Sequence, residues 1–250
     1  MNLKIEDKNV PLPKAFIKLG KSEHMKKYLE NGELRFSPAK LFSEMQEGND
    51  KIADRYEGSL RYPVECVVAA PIIFTDENGM PVYGKGFMIA DKADFSITFN
   101  KIQRIPFHCL YCYDKPVMNA LIRLDNYNQI AEEFPDYDTA VIIYNTHEFI
   151  KRIEENFMIY CNHIKYTDIT LSETEIENPI HFLFYKRKMY EQQKEFRVAL
   201  PKLMIEEPQN YQIGPITDIA YCVRLKDLEK GIIVAENDDI LNKLKKEMIY

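Results

Sequence analysis

Between about residue 62 and residue 113 the chain reads as one strand after another with no helical segment between them, and this constrains the fold more than any other feature. Cys66 to Phe74 and Pro81 to Ile89 flank Asp76-Glu77-Asn78-Gly79, where the Asn-Gly pair favours a tight hairpin turn. Phe95-Ser96-Ile97-Thr98-Phe99 alternates cleanly, and Phe107 to Tyr113 continues the series. Parallel neighbours need a crossover of a dozen or more residues, usually a helix. This stretch has none, so its strands are expected to pair antiparallel.

Helices are expected on either side. Ser22 reads as the N-cap of a helix carrying Met25, Tyr28 and Leu29, with Gly32 at the left-handed position beyond its end. Glu33-Leu34-Arg35-Phe36 then reads as a strand, and Ser37-Pro38 as the cap and first turn of a second helix with Leu41, Phe42 and Met45. Ala140 to Tyr144 is a buried strand, followed by a helix that Thr146 can cap and that carries Phe149, Ile150, Ile153 and Phe157 on its apolar stripe. Strands are expected over Met158 to Tyr166, Glu195 to Leu200 and Ile219 to Leu225. The last helix opens with Asp238 and Asp239 and closes with lysines, matching the helix dipole. Strands outnumber helices and do not alternate with them. The expectation is a single α+β domain over 1–250, with 1–13 as a lead-in segment and a mixed, largely antiparallel sheet flanked by helices.

A net charge of −6 runs against a general nucleic-acid binder and against electrostatic attachment to anionic membranes. No apolar run is long enough to span a bilayer. The first residues lack the apolar core of a signal peptide, so a cytoplasmic setting with five reduced cysteines is the expectation.

Four groups of residues carry possible chemistry. In Tyr190-Glu191-Gln192-Gln193-Lys194-Glu195-Phe196-Arg197, Gln193 and Glu195 on one strand would share a face of the sheet. There an amide beside a carboxylate can grip a ribose hydroxyl and stabilise positive charge developing on a sugar. The plainer reading is an amphipathic strand facing water. Asp50, Asp54 and Glu57 form an acidic loop with oxygen ligands for Mg²⁺ or Ca²⁺, although Arg55 competes for the carboxylates and the spacing is not that of an EF-hand. Cys109 and Cys112, with Cys161 and His163, contain ligand types for zinc. On a strand, however, a spacing of three puts the first two on opposite faces. Lys186, Arg187 and Lys188, beside Tyr185 and Tyr190 and ahead of Lys194 and Arg197, can meet phosphates or solvent.

Three blocks resemble a group of uncharacterised bacterial and phage-associated proteins: Asn31-Gly32-Glu33-Leu34-Arg35-Phe36, Asp54-Arg55-Tyr56-Glu57-Gly58 and Gln193-Lys194-Glu195-Phe196-Arg197. More distantly, the arrangement is similar to the ADP-ribosyltransferase superfamily. That resemblance implies transfer of ADP-ribose from a nicotinamide dinucleotide (NAD) to a protein or nucleic-acid acceptor, in a setting of phage–host conflict. It implies Glu195 as catalytic carboxylate, Gln193 as the residue orienting the acceptor, and Lys18, Ser37, Tyr190 and Arg197 lining the dinucleotide site. The chain departs from the pattern in two places. Lys18 stands where arginine or histidine is expected, and the Ser-Thr-Ser triplet is missing, with Thr170-Leu171-Ser172 a loose substitute. The alternative from another class is a non-catalytic defence or anti-defence factor that acts by occupying a partner.

Overall fold

The computed structural model describes residues 10–44, 57–64, 68–75, 81–90, 93–167 and 179–247. Its chain begins with strand β1 (Ala15–Gly20), helix α1 (Ser22–Asn31), β2 (Glu33–Pro38) and the short α2 (Ala39–Glu44). Next come β3 (Ser59–Val64), β4 (Val68–Thr75), β5 (Pro81–Ala90), β6 (Ala93–Thr98), α3 (Asn100–Gln103), β7 (Pro106–Tyr113) and β8 (Ala120–Ile122). The middle holds α4 (Tyr127–Glu133), β9 (Thr139–Ile143), α5 (Thr146–Glu154), β10 (Tyr160–His163) and β11 (Lys165–Tyr166). After a 3-10 turn at Pro179–Phe184 follow β12 (Tyr185–Lys186), a second 3-10 turn at Lys188–Gln193, and β13 (Glu195–Ala199). The chain closes with β14 (Gln209–Gln212), β15 (Ala220–Arg224), α6 (Asp227–Lys230), β16 (Ile232–Val234) and α7 (Asp238–Glu247).

The architecture is α+β, as the strand-rich sequence implied. One large sheet runs β10-β13-β7-β1-β9-β15, antiparallel at every step, and β2 joins β7 while carrying β14 on its other edge. The parallel element is the two-residue pairing of β11 with β12. β4 pairs with β5 as the expected hairpin, its Asn-Gly turn lying outside the described residues, and β3 pairs with β6.

Alternation sorts the sheet's side chains into two layers. On one face Phe16, Leu110, Val141, Ile143, Phe196 and Val198 pack beneath α1 and α5 through Met25, Tyr28, Phe149 and Ile153. On the other, Ile17, Tyr113, Ala140 and Ile142 meet Val117, Ile130 and Leu228, while Phe107 and Ala199 meet the 3-10 turn through Phe182 and Leu183.

Three capping expectations need correction. Lys21, not Ser22, holds the N-cap position of α1 and gives no side-chain bond. Ser22 is instead the first helical residue, with the Asp138 carboxylate close to it. Ser37 and Pro38 lie on β2 opposite Phe107 and Pro106, so the helix opens at Ala39 and Ser37 is not its cap. Asn145 rather than Thr146 caps α5 by accepting from the Glu148 N–H, and the Thr146 hydroxyl donates to the Pro13 carbonyl. At Ser37 and Thr146 a tertiary contact, to β7 and to the Pro13 carbonyl, claims the residue that the local pattern assigned as a cap.

Candidate functional site

β7 is the backbone of the site. It pairs with β1 only at Tyr111 to Tyr113 and with β2 only at Pro106 and Phe107. Between these contacts, along His108 to Leu110, neither strand is in register with it, while on its other edge β13 pairs continuously from Glu195↔Tyr111 to Ala199↔Phe107. The sheet therefore opens on one side of β7 directly opposite the Glu195-Phe196-Arg197 segment.

Two polar groups fill the opening. The Lys18 ammonium donates to the Cys109 carbonyl at 2.8 Å. The ring of the buried His108 bonds the Arg35 carbonyl through Nδ1 at 2.8 Å and the Tyr28 hydroxyl through Nε2 at 3.1 Å. Burial lowers the pKa of Lys18, outweighing the pull of the Cys109 side chain and Glu195, and holds His108 well below the usual histidine range. A neutral His108 then donates through Nδ1 and accepts through Nε2.

Register places Ser37, Cys109, Glu195 and Arg197 on the same face, because Ser37 is opposite Phe107 and Arg197 is opposite Cys109. Here lies a buried charge cluster. Arg197, 1% exposed, donates from Nε to Glu195 Oε1 at 2.5 Å and from Nη2 to Glu195 Oε2 at 3.3 Å. It also grips Glu57 through Nη1 to Oε1 at 2.5 Å and Nη2 to Oε2 at 2.9 Å, and Nη1 donates again to the Leu183 carbonyl. These contacts use all five guanidinium donors. The guanidinium also lies 4.3 Å from the centroid of the Phe107 ring. Lys186 completes the cluster, donating to Glu195 Oε2 at 3.2 Å and to Gln193 Oε1 at 2.8 Å, with its ammonium 5.0 Å from the Tyr190 ring centroid.

Two carboxylates and two cations thus balance inside the fold. Burial pushes both carboxyls up, but Arg197 and Lys186 together bring Glu195 well below the ordinary glutamate range, so it stays ionised. For Glu57 burial prevails over Arg197, and its pKa ends raised. Burial opposes the charge on Lys186, and the two glutamates restore it, leaving its pKa raised.

Lys18, in step with Phe16 and Val141, stands on the other face of the sheet from Ser37 and Glu195; it bonds the Cys109 carbonyl, while the Cys109 side chain lies near Glu195. Gln193 is not on the strand. It ends the 3-10 turn, Lys194 follows in the left-handed region at φ 41°, and β13 starts at Glu195. Its amide nonetheless meets Glu195 through their shared partner Lys186. Tyr190 is buried and accepts from Arg187 Nη2 at 2.9 Å. Arg197, expected at the dinucleotide, is taken up entirely by protein acceptors. Glu57, read as part of an acidic loop, is bound to Arg197, while Asp50, Asp54, Arg55 and Thr170-Leu171-Ser172 lie outside the described residues. Lys186 is the central residue that the sequence pattern did not single out from its basic run.

Cys109 and Cys112 do fall on opposite faces, the first beside Glu195 and the second at 3.4 Å from His163 Nδ1. Among the described residues no three His, Cys, Asp or Glu side chains gather as a metal site, and no helix is long and apolar enough to cross a membrane. No protein-family profile matches the chain, nor does any curated protein or solved structure.

Proposed function

We propose that the chain is an ADP-ribosyltransferase-like enzyme acting on a nicotinamide dinucleotide and a macromolecular acceptor, with Glu195 as its catalytic carboxylate. The observation carrying this reading is an ionised Glu195 on the sheet face shared with Ser37, beside the opening that holds Lys18. In the reaction the bond between nicotinamide and the ribose carbon breaks, and its electron pair leaves with the nicotinamide. The acceptor's nucleophile attacks that carbon and gives up its proton. A fixed carboxylate stabilises the positive charge that builds on the sugar between those events. Lys186 and Gln193 form the adjustable side of the site, since turning the Lys186 ammonium toward Gln193 alone leaves Glu195 Oε2 with only the 3.3 Å bond from Arg197 and one lone pair for a ribose hydroxyl.

The test is dinucleotide cleavage and acceptor labelling by Glu195→Gln, with circular dichroism confirming the fold. A loss of at least about a hundredfold, the scale of removing one transition-state charge interaction, supports the reading, and unchanged activity ends it.

A second reading, a non-catalytic protein that occupies a partner, is favoured by one observation: both oxygens of Glu195 already hold protein cations. In that reading the cluster only stabilises the fold. Thermal melting with the dinucleotide separates the two, since a ligand bound to the folded state raises the melting temperature.

A further inference from the structure

A second cluster lies at the end of β7, on the other side of Lys194 from the charge cluster. There the chain forms a hollow of about 70 Å³, open to solvent on one side and walled by Tyr111 and Tyr113. A water needs only ~10–15 Å³ of such space, so a tetrahedral oxyanion fits.

Three cations line the hollow from three separate stretches: Lys115 after β7, Arg123 after β8, and Lys194 ahead of β13. Two carboxylates, Asp114 and Asp125, line it too. Lys115 and Asp125 are bonded to each other at 2.7 Å. The side chains of Arg123 and Lys194 make no hydrogen bond or ion pair among the described residues, and Asp125 is drawn toward both only at longer range.

The walls are fixed by bonds that do not consume these cations. The Tyr113 hydroxyl donates to the Arg123 carbonyl at 3.3 Å and accepts from the Arg123 N–H at 3.2 Å. The Cys112 N–H donates to the Lys194 carbonyl at 2.7 Å. The Tyr111 hydroxyl donates to Asn126 Oδ1, whose Nδ2 donates to the Gln192 carbonyl, tying the Asp125 loop to the turn that carries Lys194.

Lys194 also has a backbone that its side chain disfavours. Among the described residues it shares positive φ only with glycines and with Asn119, a residue type that tolerates it. Backbone held in a costly region beside a hollow lined with charged side chains is a recognised mark of a functional position.

We infer that this hollow binds an oxyanion of the phosphate class, free or as a phosphomonoester, between the Arg123 guanidinium and the Lys194 ammonium. The guanidinium supplies a fork of N–H donors and the ammonium a point charge, the two complementary ways of holding phosphate. The inference is independent of the transferase reading, and neither outcome below bears on Glu195.

The experiment compares wild type, Arg123→Gln and Lys194→Gly by thermal melting in inorganic phosphate, in phenyl phosphate and in sodium chloride of matched ionic strength. In chloride, Lys194→Gly melts above wild type because glycine adopts the left-handed backbone freely. In phosphate, wild type gains stability over chloride, Arg123→Gln keeps less than half of that gain, and Lys194→Gly loses it. Phenyl phosphate acting at a tenth of the phosphate concentration assigns the site to monoesters, and equal potency assigns it to the free ion. Phosphate also stabilises proteins generally by exclusion from their surfaces. Equal gains in all three proteins, or no gain in wild type, therefore overturn the inference.

Discussion

Arg197 and Glu57, 140 residues apart, form a two-pronged ion pair in which neither side chain is more than 2% exposed. The pair unites two of the short blocks that stand out in the sequence, Asp54-Arg55-Tyr56-Glu57-Gly58 and Gln193-Lys194-Glu195-Phe196-Arg197. The same guanidinium fixes Glu195 through its other edge. One arginine therefore anchors the segment ahead of β3 to β13 and sets the position of the candidate catalytic carboxylate.

Arg197 is expected to be among the most sensitive positions in the chain. Arg197→Met leaves two buried carboxylates with only Lys186 to offset them, and breaking a buried pair in this way costs about 3–5 kcal/mol. Arg197→Lys is expected to recover little, because one ammonium cannot bond both carboxylates and the Leu183 carbonyl in the same geometry. Urea unfolding of the two variants measures this. Near-complete recovery by lysine would show that charge alone matters and that the fork geometry does not.

The two glutamates give stability opposite dependences on pH. The folded-state pKa of Glu195 is depressed, so its contribution is fully present above the ordinary glutamate value of 4.5 and is lost as the pH falls below it. The pKa of Glu57 is raised, so the folded protein holds that proton more tightly than the unfolded chain. Acidification from neutrality toward 4.5 is then stabilising through this group. Buried His108, held well below the ordinary histidine value of 6.5, works the other way below that pH, so each glutamate is read as a difference from wild type. Relative to wild type, Glu57→Gln should lose the stabilisation that acidification toward 4.5 brings through this group, and Glu195→Gln should blunt the loss below 4.5, both read from urea midpoints between pH 7 and pH 3.

The strand framework was legible because it is written in local alternation. Glu195 to Leu200 and Phe107 to Tyr113 show the period-two pattern, and they pair with each other. Gly32 was likewise readable, since a glycine closing a helical period marks a left-handed cap. What could not be read are features set by residues far apart in sequence. Nothing local says that Glu57 will meet Arg197, or that Lys186 rather than Arg187 will turn inward to Glu195. The break between Gln193 and Glu195 was hidden for another reason. The residue that turns the chain there is a lysine, where glycine or asparagine would have announced the turn, so the segment read as unbroken strand.

Thiol chemistry offers a third check on the burial of the site. Burial, reinforced by Asp114, pushes Cys112 up to about 12, and burial pushes Cys161 up to about 11. Burial next to Glu195 pushes Cys109 up as well. In a Cys66→Ser, Cys222→Ser background these three thiols should be nearly inert to Ellman's reagent at pH 8, where an ordinary thiol of pKa ~8.5 is already about a quarter ionised. Adding urea past the unfolding midpoint should release all three together. Fast labelling of one thiol in the native protein would mean that its surroundings are open.

Two glycines with the same kind of backbone differ in what a side chain would meet, and the difference separates conformational strain from steric conflict. Gly32 has φ 60° and Gly214 has φ 82°, both in the left-handed range. A Cβ added at Gly32 would lie 2.0 Å from the Gly214 carbonyl oxygen and 2.8 Å from Ile213 Cγ1. That approach is fixed by the Ile213 N–H, which donates to the Gly32 carbonyl at 3.1 Å. A Cβ at Gly214 meets nothing within 4 Å. Gly214→Ala should therefore lose only the left-handed penalty, about 1–2 kcal/mol. Gly32→Ala should lose that and more, because the obstructing atom is backbone and can yield only by parting α1 from the segment that follows β14. Urea unfolding of both variants decides the point. Equal losses would mean that the Gly32–Gly214 approach adds nothing beyond the dihedral angle, and a larger loss at Gly32 would mark it as a close-packed joint between the start and the end of the fold.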